Sequence, residues 1–192
     1  TTTTKMYLPE KDGVLDGTAK EIKEKLERDG FAAVGSVFSE EKMGSLPKAV
    51  FDEVFSFADV VLVEADGSKR MPLKMPRQDE PVLPEECDFL VTVAGLSALE
   101  QPWEQACHSF ALVSSMFSGK TVTEGDIFPI LQAGYGTLWD KIQGCVFLNQ
   151  ADVVGWDRAE RIAADFSVPC LWGSLRQKQY HRKEGDSHER SI

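Results

Sequence analysis

The sequence predicts an α/β fold with a mostly parallel sheet flanked by helices. Short apolar runs, typical of buried strands, alternate along the chain with segments whose apolar residues recur at helical spacing. The 192 residues suffice for a sizeable core, and 42% hydrophobic with 27% charged residues is typical of a globular protein. We therefore expect one α/β domain over residues 1–175. The strongly polar residues 176–192 are expected to form a disordered tail.

The first helix is expected over about residues 19–29. Thr18 and Glu21 form a capping-box pattern, and Gly30 supplies a stop. Residues 31–37 follow as a plausible strand. The later expected elements are a helix that begins near Pro47 and carries Phe51, Val54 and Phe55 inward, strands at 88–94, 145–148 and 168–172, a helix capped by Thr123, and a helix at 156–166.

An apolar run at 60–63 leads directly into Glu64, Asp66 and Gly67. Four apolar residues in a row predict a strand buried on both faces, as in parallel sheets. Ligands bind such sheets at the carboxyl ends of the strands. Carboxylates followed by a glycine at that position suit Mg²⁺ and a terminal phosphate. An acidic strand end with a turn glycine explains these four residues equally well when they are taken alone.

Asn-Gln-Ala-Asp at 149–152 follows another predicted strand and resembles the guanine-reading Asn-Lys-x-Asp motif of GTP-binding proteins. In that motif the asparagine contacts the purine edge, and the aspartate accepts two N–H groups of guanine. Gln150 stands where the motif has a lysine whose stem covers the base. A polar turn followed by a helix cap is the alternative interpretation.

The segment 68–77 is a basic loop. No regular element is expected from residue 68 to residue 84, because this stretch contains four prolines. The cations of the segment 68–77 are Lys69, Arg70, Lys74 and Arg77, and that segment contains no acid. Cations that follow a carboxylate-bearing strand end suit an anion bound together with its metal. A solvated charged loop is the other explanation.

Three further residues are candidates for chemistry. The hydroxyl of Thr4 is of a type that binds Mg²⁺ in switch segments, and Lys5 is long enough to reach a phosphate. His108 is a candidate acid, base or ligand, although a surface or capping histidine is the simpler interpretation.

Composition also excludes several classes of function. A formal charge of -10 argues against a general nucleic-acid binder, and no apolar run approaches the roughly 20 residues of a membrane span. The cysteines at 87, 107, 145 and 170 are too far apart for a zinc knuckle or a redox pair, which favours reduced thiols. We expect a cytoplasmic protein with neither nucleic acid nor membrane as a partner.

Several segments together resemble the YqeC family of selenium cofactor biosynthesis, which comprises accessory proteins of selenium-dependent molybdenum hydroxylases. The most specific part is Glu-Ala-Asp-Gly-Ser at 64–68 with Pro-Leu-Lys at 72–74. The resemblance also includes Thr-Thr-Thr-Thr-Lys-Met at 1–6, Glu-Pro-Val-Leu-Pro at 80–84, Cys-His at 107–108, Asn-Gln-Ala-Asp at 149–152 and Gly-Ser-Leu at 173–175.

The resemblance implies a P-loop NTPase-like three-layer fold that binds a nucleoside triphosphate, GTP or ATP, together with Mg²⁺. It makes Glu64 and Asp66 the catalytic residues and, with Thr4, the Mg²⁺ ligands. The residues it implies for phosphate or nucleotide binding are Thr4, Lys5, Gly67, Ser68, Lys69, Arg70, Asn149 and Asp152.

The sequence departs from this family at its start. Family members begin with a strand and a Gly-rich phosphate loop, and neither is present in these 192 residues. Since such a loop supplies the N–H cradle and a lysine, we expect the chain by itself to bind nucleotide poorly. Ser109 also stands where an arginine is expected after the Cys-His pair.

The resemblance thus implies an accessory protein for maturation of selenium-dependent molybdenum hydroxylases, which in its complete form binds and hydrolyses a nucleoside triphosphate. Its expected partners are the nucleotide and the hydroxylase or its cofactor. A non-hydrolysing chaperone that holds a cofactor, or a scaffold for the hydroxylase, is the alternative.

Overall fold

The computed structural model describes residues 1–11 and 13–182, and it is a mixed α/β protein with several small sheets. The helices are α1 (Ala19–Asp29), α2 (Lys48–Phe55), α3 (Trp103–Ala106), α4 (Glu124–Trp139), α5 (Ala151–Val154) and α6 (Trp156–Ala164). The strands are β1 (Met6–Tyr7), β2 (Gly13–Leu15), β3 (Ala33–Val37), β4 (Lys42–Gly44), β5 (Leu73–Lys74), β6 (Leu90–Gly95), β7 (Cys107–His108), β8 (Gly144–Asn149), β9 (Cys170–Ser174) and β10 (Gln179–Arg182).

The chain divides into two compact units. Unit 1 contains Thr1–Gly67 and Asp79–Glu85, and unit 2 contains Ser68–Gln78 and the chain from Glu86 onward, described as far as Arg182. The predicted domain over residues 1–175 therefore consists of two units, each with its own apolar core.

Unit 1 has a four-stranded sheet in the order β1-β4-β3-β2. Strands β2 and β3 are parallel, whereas β3 and β4 form an antiparallel hairpin. Helix α1 matches its predicted bounds because Thr18 and Glu21 make the complete capping box and Gly30 ends the helix at φ 72°. The core of unit 1 consists of Ala19, Ile22, Val34, Leu46 and Val54.

The prediction for the helix after Pro47 is correct in position and partly wrong about its inner face. Val54 is buried as predicted, but Phe55 is 37% exposed. The ring of Phe55 stacks 6.1 Å from that of Phe51 along the helix, and the half-buried Phe51 packs against the core to which Val54 belongs, as predicted.

Unit 2 has a four-stranded sheet in the order β10-β9-β8-β6. Strands β6, β8 and β9 are parallel and lie where the sequence predicts strands, and α4 and α6 also form as predicted. Parallel pairing places the carboxyl ends of β6, β8 and β9 at one edge of this sheet.

The two faces of the unit 2 sheet differ in burial. On one face Ala94, Val146 and Leu148 are fully buried in the core to which α4 and α6 also contribute. On the other face Val91 and Val93 of the edge strand β6 are 50% and 56% exposed. The β6 edge of this face is thus open to solvent in the described part of the chain, whereas Phe147 of β8 is half-buried.

The predicted buried strand at 60–63 is wrong. This segment is not a strand, and Val60 and Leu62 are 75% and 76% exposed. Its only bridge within the described residues joins Glu64 to Thr2, so the segment has a neighbour on one side alone. An apolar run becomes buried on both faces only where other elements cover it, and here they do not.

The predicted tail is structured over its first part. Gln179–Arg182 form β10, which pairs in antiparallel fashion with β9. The His181 ring also lies 5.2 Å from the Trp156 ring and 6.0 Å from the Trp172 ring. These ring contacts supply packing that the polar composition did not indicate. Residues 183–192 of the predicted tail lie outside the described residues.

None of the helices within residues 1–11 and 13–182 is both long enough and apolar enough to cross a membrane.

Candidate functional site

In unit 1, the threonine run lies beside the segment that contains Glu64. The backbone N–H of Glu64 donates to the Thr1 carbonyl at 3.0 Å, and the N–H of Thr3 donates to the Glu64 carbonyl at 3.1 Å. The Thr2 hydroxyl donates to the same carbonyl at 2.8 Å. Residues that are more than sixty positions apart are therefore held side by side. The predicted site needs this, because it combines Thr4 with Glu64.

Three predicted site residues meet at one point in unit 1. A Cβ atom placed on Gly67 would lie 3.1 Å from Glu64 Oε1 and 3.9 Å from Thr4 Oγ1. The Thr4 hydroxyl is positioned by Thr2, whose Oγ1 lies 3.2 Å from Thr4 Oγ1 and accepts from the Thr4 N–H at 3.0 Å. A hydroxyl, a carboxylate and the backbone of a glycine thus adjoin each other.

Asp66 lies in the same segment and is half-buried, and its Oδ1 atom is closed to solvent. The neighbouring Ala65 carbonyl accepts from the Val82 N–H at 3.0 Å, which ties this segment to the 79–85 part of unit 1. Carboxylate and hydroxyl oxygens are ligands that Mg²⁺ accepts, and Mg²⁺ commonly completes its coordination with water and phosphate oxygens.

No group of three or more His, Cys, Asp or Glu residues suited to a metal ion occurs in the described parts of the chain. A metal bound near Glu64 and Asp66 would therefore need the Thr4 hydroxyl and oxygens from outside the protein. A nucleotide's phosphates would supply such oxygens. The structure does not test the predicted magnesium site, which stays a prediction.

The cationic candidates differ in their surroundings. The Lys5 ammonium lies 3.8 Å from the centre of the Phe38 ring, a cation–π contact that it would leave to reach a phosphate. Lys69 and Arg70 are exposed and adopt positive φ angles of 52° and 65°. The Ser68 hydroxyl donates to the Met71 carbonyl at 2.7 Å, so it closes the turn in which these two cations lie.

The segment 68–84, for which no regular element was predicted, contains one short strand. Leu73–Lys74 form β5, which pairs in parallel with β7, and Lys74 stands in register with His108. Lys74 is only 5% exposed, unlike a solvated lysine. The Nδ1 atom of half-buried His108 lies 3.2 Å from Ser109 Oγ, and Ser109 itself has φ 62°.

Asn149 joins the ends of two parallel strands in unit 2. Its Oδ1 atom accepts from the Gln150 N–H at 2.9 Å and from the Leu175 N–H at 3.1 Å. The carbonyl oxygen is thereby used within the protein, and the amide nitrogen is the group suited to contact a ligand. Asp152 follows, half-buried, in the first turn of α5.

Gln150 stands where the motif has a lysine, and its side chain makes a hydrogen bond within the protein. It adopts φ 70°, and its Oε1 accepts from the Ser97 N–H at 3.3 Å. Since Ser97 follows β6, Gln150 links the carboxyl end of that strand to the end of β8. The side chain that would cover a base in the resembling motif is turned toward the protein.

The thiol of Cys107 is expected to resist alkylation in the folded protein. Burial raises its pKa from 9.0 to about 11, and the thiolate is the nucleophile. Iodoacetamide at pH 8 should therefore modify Cys87 and leave Cys107 unmodified, as measured by mass spectrometry of peptides. Because the pKa is raised on folding, the stability this thiol contributes is present below pH 9 and is lost as the pH rises toward 11. Equal labelling of both cysteines would contradict this expectation.

Sequence reasoning missed one residue beside these sites and the surroundings of another. Thr2 is 2% exposed and orients both Glu64 and Thr4, and the only signal for it was its place in the threonine run. Lys74 is among the predicted cations of the basic loop, but neither its burial nor its place in a strand beside β7 was predicted.

A sequence model of the YqeC protein family matches residues 1–111 of this chain. The chain is also similar to a curated protein of Escherichia coli (strain K12) named "Uncharacterized protein YqeC", with 30% identity over 95 residues. That alignment covers 45% of this chain and 36% of the relative, so the chain spans little more than a third of the length of this relative. No solved structure matches. The family match includes Thr4, Glu64 and Gly67, whereas Asn149 lies beyond it.

Proposed function

Because this chain belongs to the YqeC family, we propose that it is part of a cytoplasmic, nucleotide-binding accessory protein of selenium-dependent molybdenum hydroxylases. The convergence of Thr4 Oγ1, Glu64 Oε1 and Gly67 carries the proposal. The partners in this proposal are a nucleoside triphosphate with Mg²⁺ and the hydroxylase or its cofactor. A P-loop NTPase-like architecture for the complete protein is part of the same proposal.

Unit 1 supplies the metal and terminal-phosphate contacts in this proposal. Thr4, Glu64 and Asp66 offer the hard oxygen atoms that Mg²⁺ prefers. Gly67 is the residue proposed to adjoin the terminal phosphate, and its lack of a side chain leaves room for Glu64 Oε1 and Thr4 Oγ1 beside its backbone. Once bound, Mg²⁺ would neutralise charge on the phosphates, and the carboxylate of Glu64 would orient the attacking water.

Asn149 and Asp152 are the residues proposed to contact a base, and both belong to unit 2. The amide nitrogen of Asn149 donates to the purine edge, since its Oδ1 already accepts two backbone N–H groups. The Asp152 carboxylate accepts N–H groups of guanine, which favours GTP over ATP because adenine presents an acceptor at one of these positions. The two hydrogen bonds to Oδ1 fix the orientation of the Asn149 amide before any ligand binds.

The test uses the protein expressed from its complete gene. We expect calorimetry with Mg²⁺ to detect nucleotide binding, and phosphate release to fall by at least about 100-fold in Glu64→Gln, because a positioned carboxylate contributes that much to proton transfer. Asn149→Ala should weaken binding of GTP without a comparable loss of turnover at saturation. Glu53→Gln, at an exposed carboxylate of α2, is the matched control and should behave as the wild type.

Absence of nucleotide binding in the presence of Mg²⁺ would refute the proposal. Binding without phosphate release would refute the hydrolytic step and favour a non-hydrolysing carrier. Wild-type turnover in Glu64→Gln would refute the role given to that carboxylate.

A further inference from the structure

Unit 2 contains a groove that none of the predicted nucleotide-binding residues lines. It is formed within residues 102–121 and has a volume of about 590 Å³. This is within the range of roughly 300–1,000 Å³ that small-molecule sites occupy. The residues that decide its chemistry are Trp103, Glu104, Phe110, Phe117 and Lys120.

Three aromatic side chains form the apolar wall of this groove. Trp103 is 1% exposed, and the Phe110 ring is nearly parallel to the indole, with 4.6 Å between ring centroids and 6° between planes. The Phe117 ring lies 4.5 Å from the indole at 42°. Both phenylalanines are only half-buried, so they offer ring surface to a flat ligand. Offset stacking of aromatic rings stabilises such contacts.

Two of the residues that line the groove carry donors with no protein partner in the described part of the chain. The Trp103 Nε1 atom is buried and has no hydrogen-bond acceptor in the described part of the chain, although buried donors are nearly always paired. Lys120 is exposed and makes no ion pair with any residue of the segments 1–11 and 13–182. Both are donors, so both suit a ligand that carries acceptor atoms and negative charge.

We propose that the groove binds a planar aromatic anion. Its ring stacks on Phe117, and its anionic group pairs with the Lys120 ammonium. An acceptor atom of the ligand takes the Trp103 N–H when the half-buried Phe110 ring turns aside from the indole. Glu104 on the same rim would suit a cationic ligand, but such a ligand would leave the indole N–H unpaired, and for this reason we favour the anion.

Naphthalene-2-sulfonate is the probe, titrated into the full chain by calorimetry and by NMR of the indole N–H signals. We expect saturable binding and a downfield shift of the Trp103 indole signal, which Trp103→Phe identifies among the four tryptophans. Lys120→Met should weaken binding about tenfold, the loss of one charged hydrogen bond, and Phe117→Leu should weaken it by a similar factor.

Matched controls distinguish binding in the groove from nonspecific binding of the probe elsewhere. Lys141→Met removes another exposed lysine, and Phe31→Leu changes a phenylalanine that is 57% exposed elsewhere; both should bind the probe as the wild type does. If Phe117→Leu fails to fold by circular dichroism, the exposed Lys120→Met variant still decides the result.

The proposal is overturned if the probe shows no saturable binding, or if Lys120→Met binds it as tightly as the wild type. Equal binding of methanesulfonate, which lacks a ring, would overturn the stacking contact. Tighter binding of tetramethylammonium than of the sulfonate would assign the groove to a cation. Variants at Glu64 and Asn149 leave the groove unchanged, so the fate of the nucleotide proposal is read separately.

Discussion

Phe166→Ala is expected to lower the free energy of unfolding by about 4 kcal/mol, the range for removing a fully buried phenylalanine. The side chain is 2% exposed and follows α6. Its ring meets that of Phe128 edge-on at 5.2 Å and lies 6.2 Å from that of Trp139. Because both neighbours belong to α4, the truncated residue would leave a cavity that neither helix fills. Equilibrium urea unfolding followed by circular dichroism measures the change.

Phe31→Ala is the control for this measurement. Phe31 is 57% exposed, so its truncation should change the free energy of unfolding by less than about 0.5 kcal/mol. If the two alanine variants unfold at the same urea concentration, Phe166 does not hold α4 and α6 together.

Gly144→Ala is expected to lower the free energy of unfolding by about 3 kcal/mol, the upper part of the range for overpacking. A Cβ atom at Gly144 would lie 2.2 Å from the carbonyl oxygen of Leu90. Leu90 is the residue paired with Gly144 in the parallel ladder, and its N–H also donates to the Gln143 carbonyl at 2.8 Å. The backbone therefore has no room to yield without separating β6 from β8.

Gly125→Ala provides the comparison within the same unit. A Cβ atom at Gly125 would meet nothing within 4 Å, and the residue lies in α4, where alanine is favoured over glycine by up to about 1 kcal/mol. This variant should be as stable as the wild type or more so, by the same urea titration. A Gly144→Ala variant of wild-type stability would show that β6 and β8 are spaced differently.

The elements that were predicted correctly are those whose signals are local. Thr18, Glu21 and Gly30 determine the ends of α1 because capping bonds involve residues within one turn. The run at 60–63 and residues 145–148 of β8 are both short and apolar, but composition does not record how many neighbours a segment has. For that reason the run at 60–63 was predicted to be buried, whereas Val60 and Leu62 face solvent.

In the candidate site, too, the residues that could be predicted are those whose signals are local. Glu64 and Gly67 were recognisable because they are close together in sequence. The carbonyl contact from Thr2 and the hydrogen bond from the Leu175 N–H to Asn149 join residues that are distant in sequence, and no local pattern announces such pairs. Trp103, Phe110 and Phe117 recur at intervals of seven residues, yet they lie in a mostly irregular segment where helical spacing has no meaning.

The topology of the two sheets has a consequence for how the chain folds. The β3–β4 hairpin of unit 1 joins segments that are close in sequence, and hairpins form within about 1–10 μs. In unit 2, β6 pairs with β8 across the whole span that contains α3, β7 and α4. Closing that loop costs chain entropy before any ladder bond forms. Strand β6 therefore stays unpaired on the nascent chain until β8 has been synthesised, because β8 is the strand paired with it among the described residues.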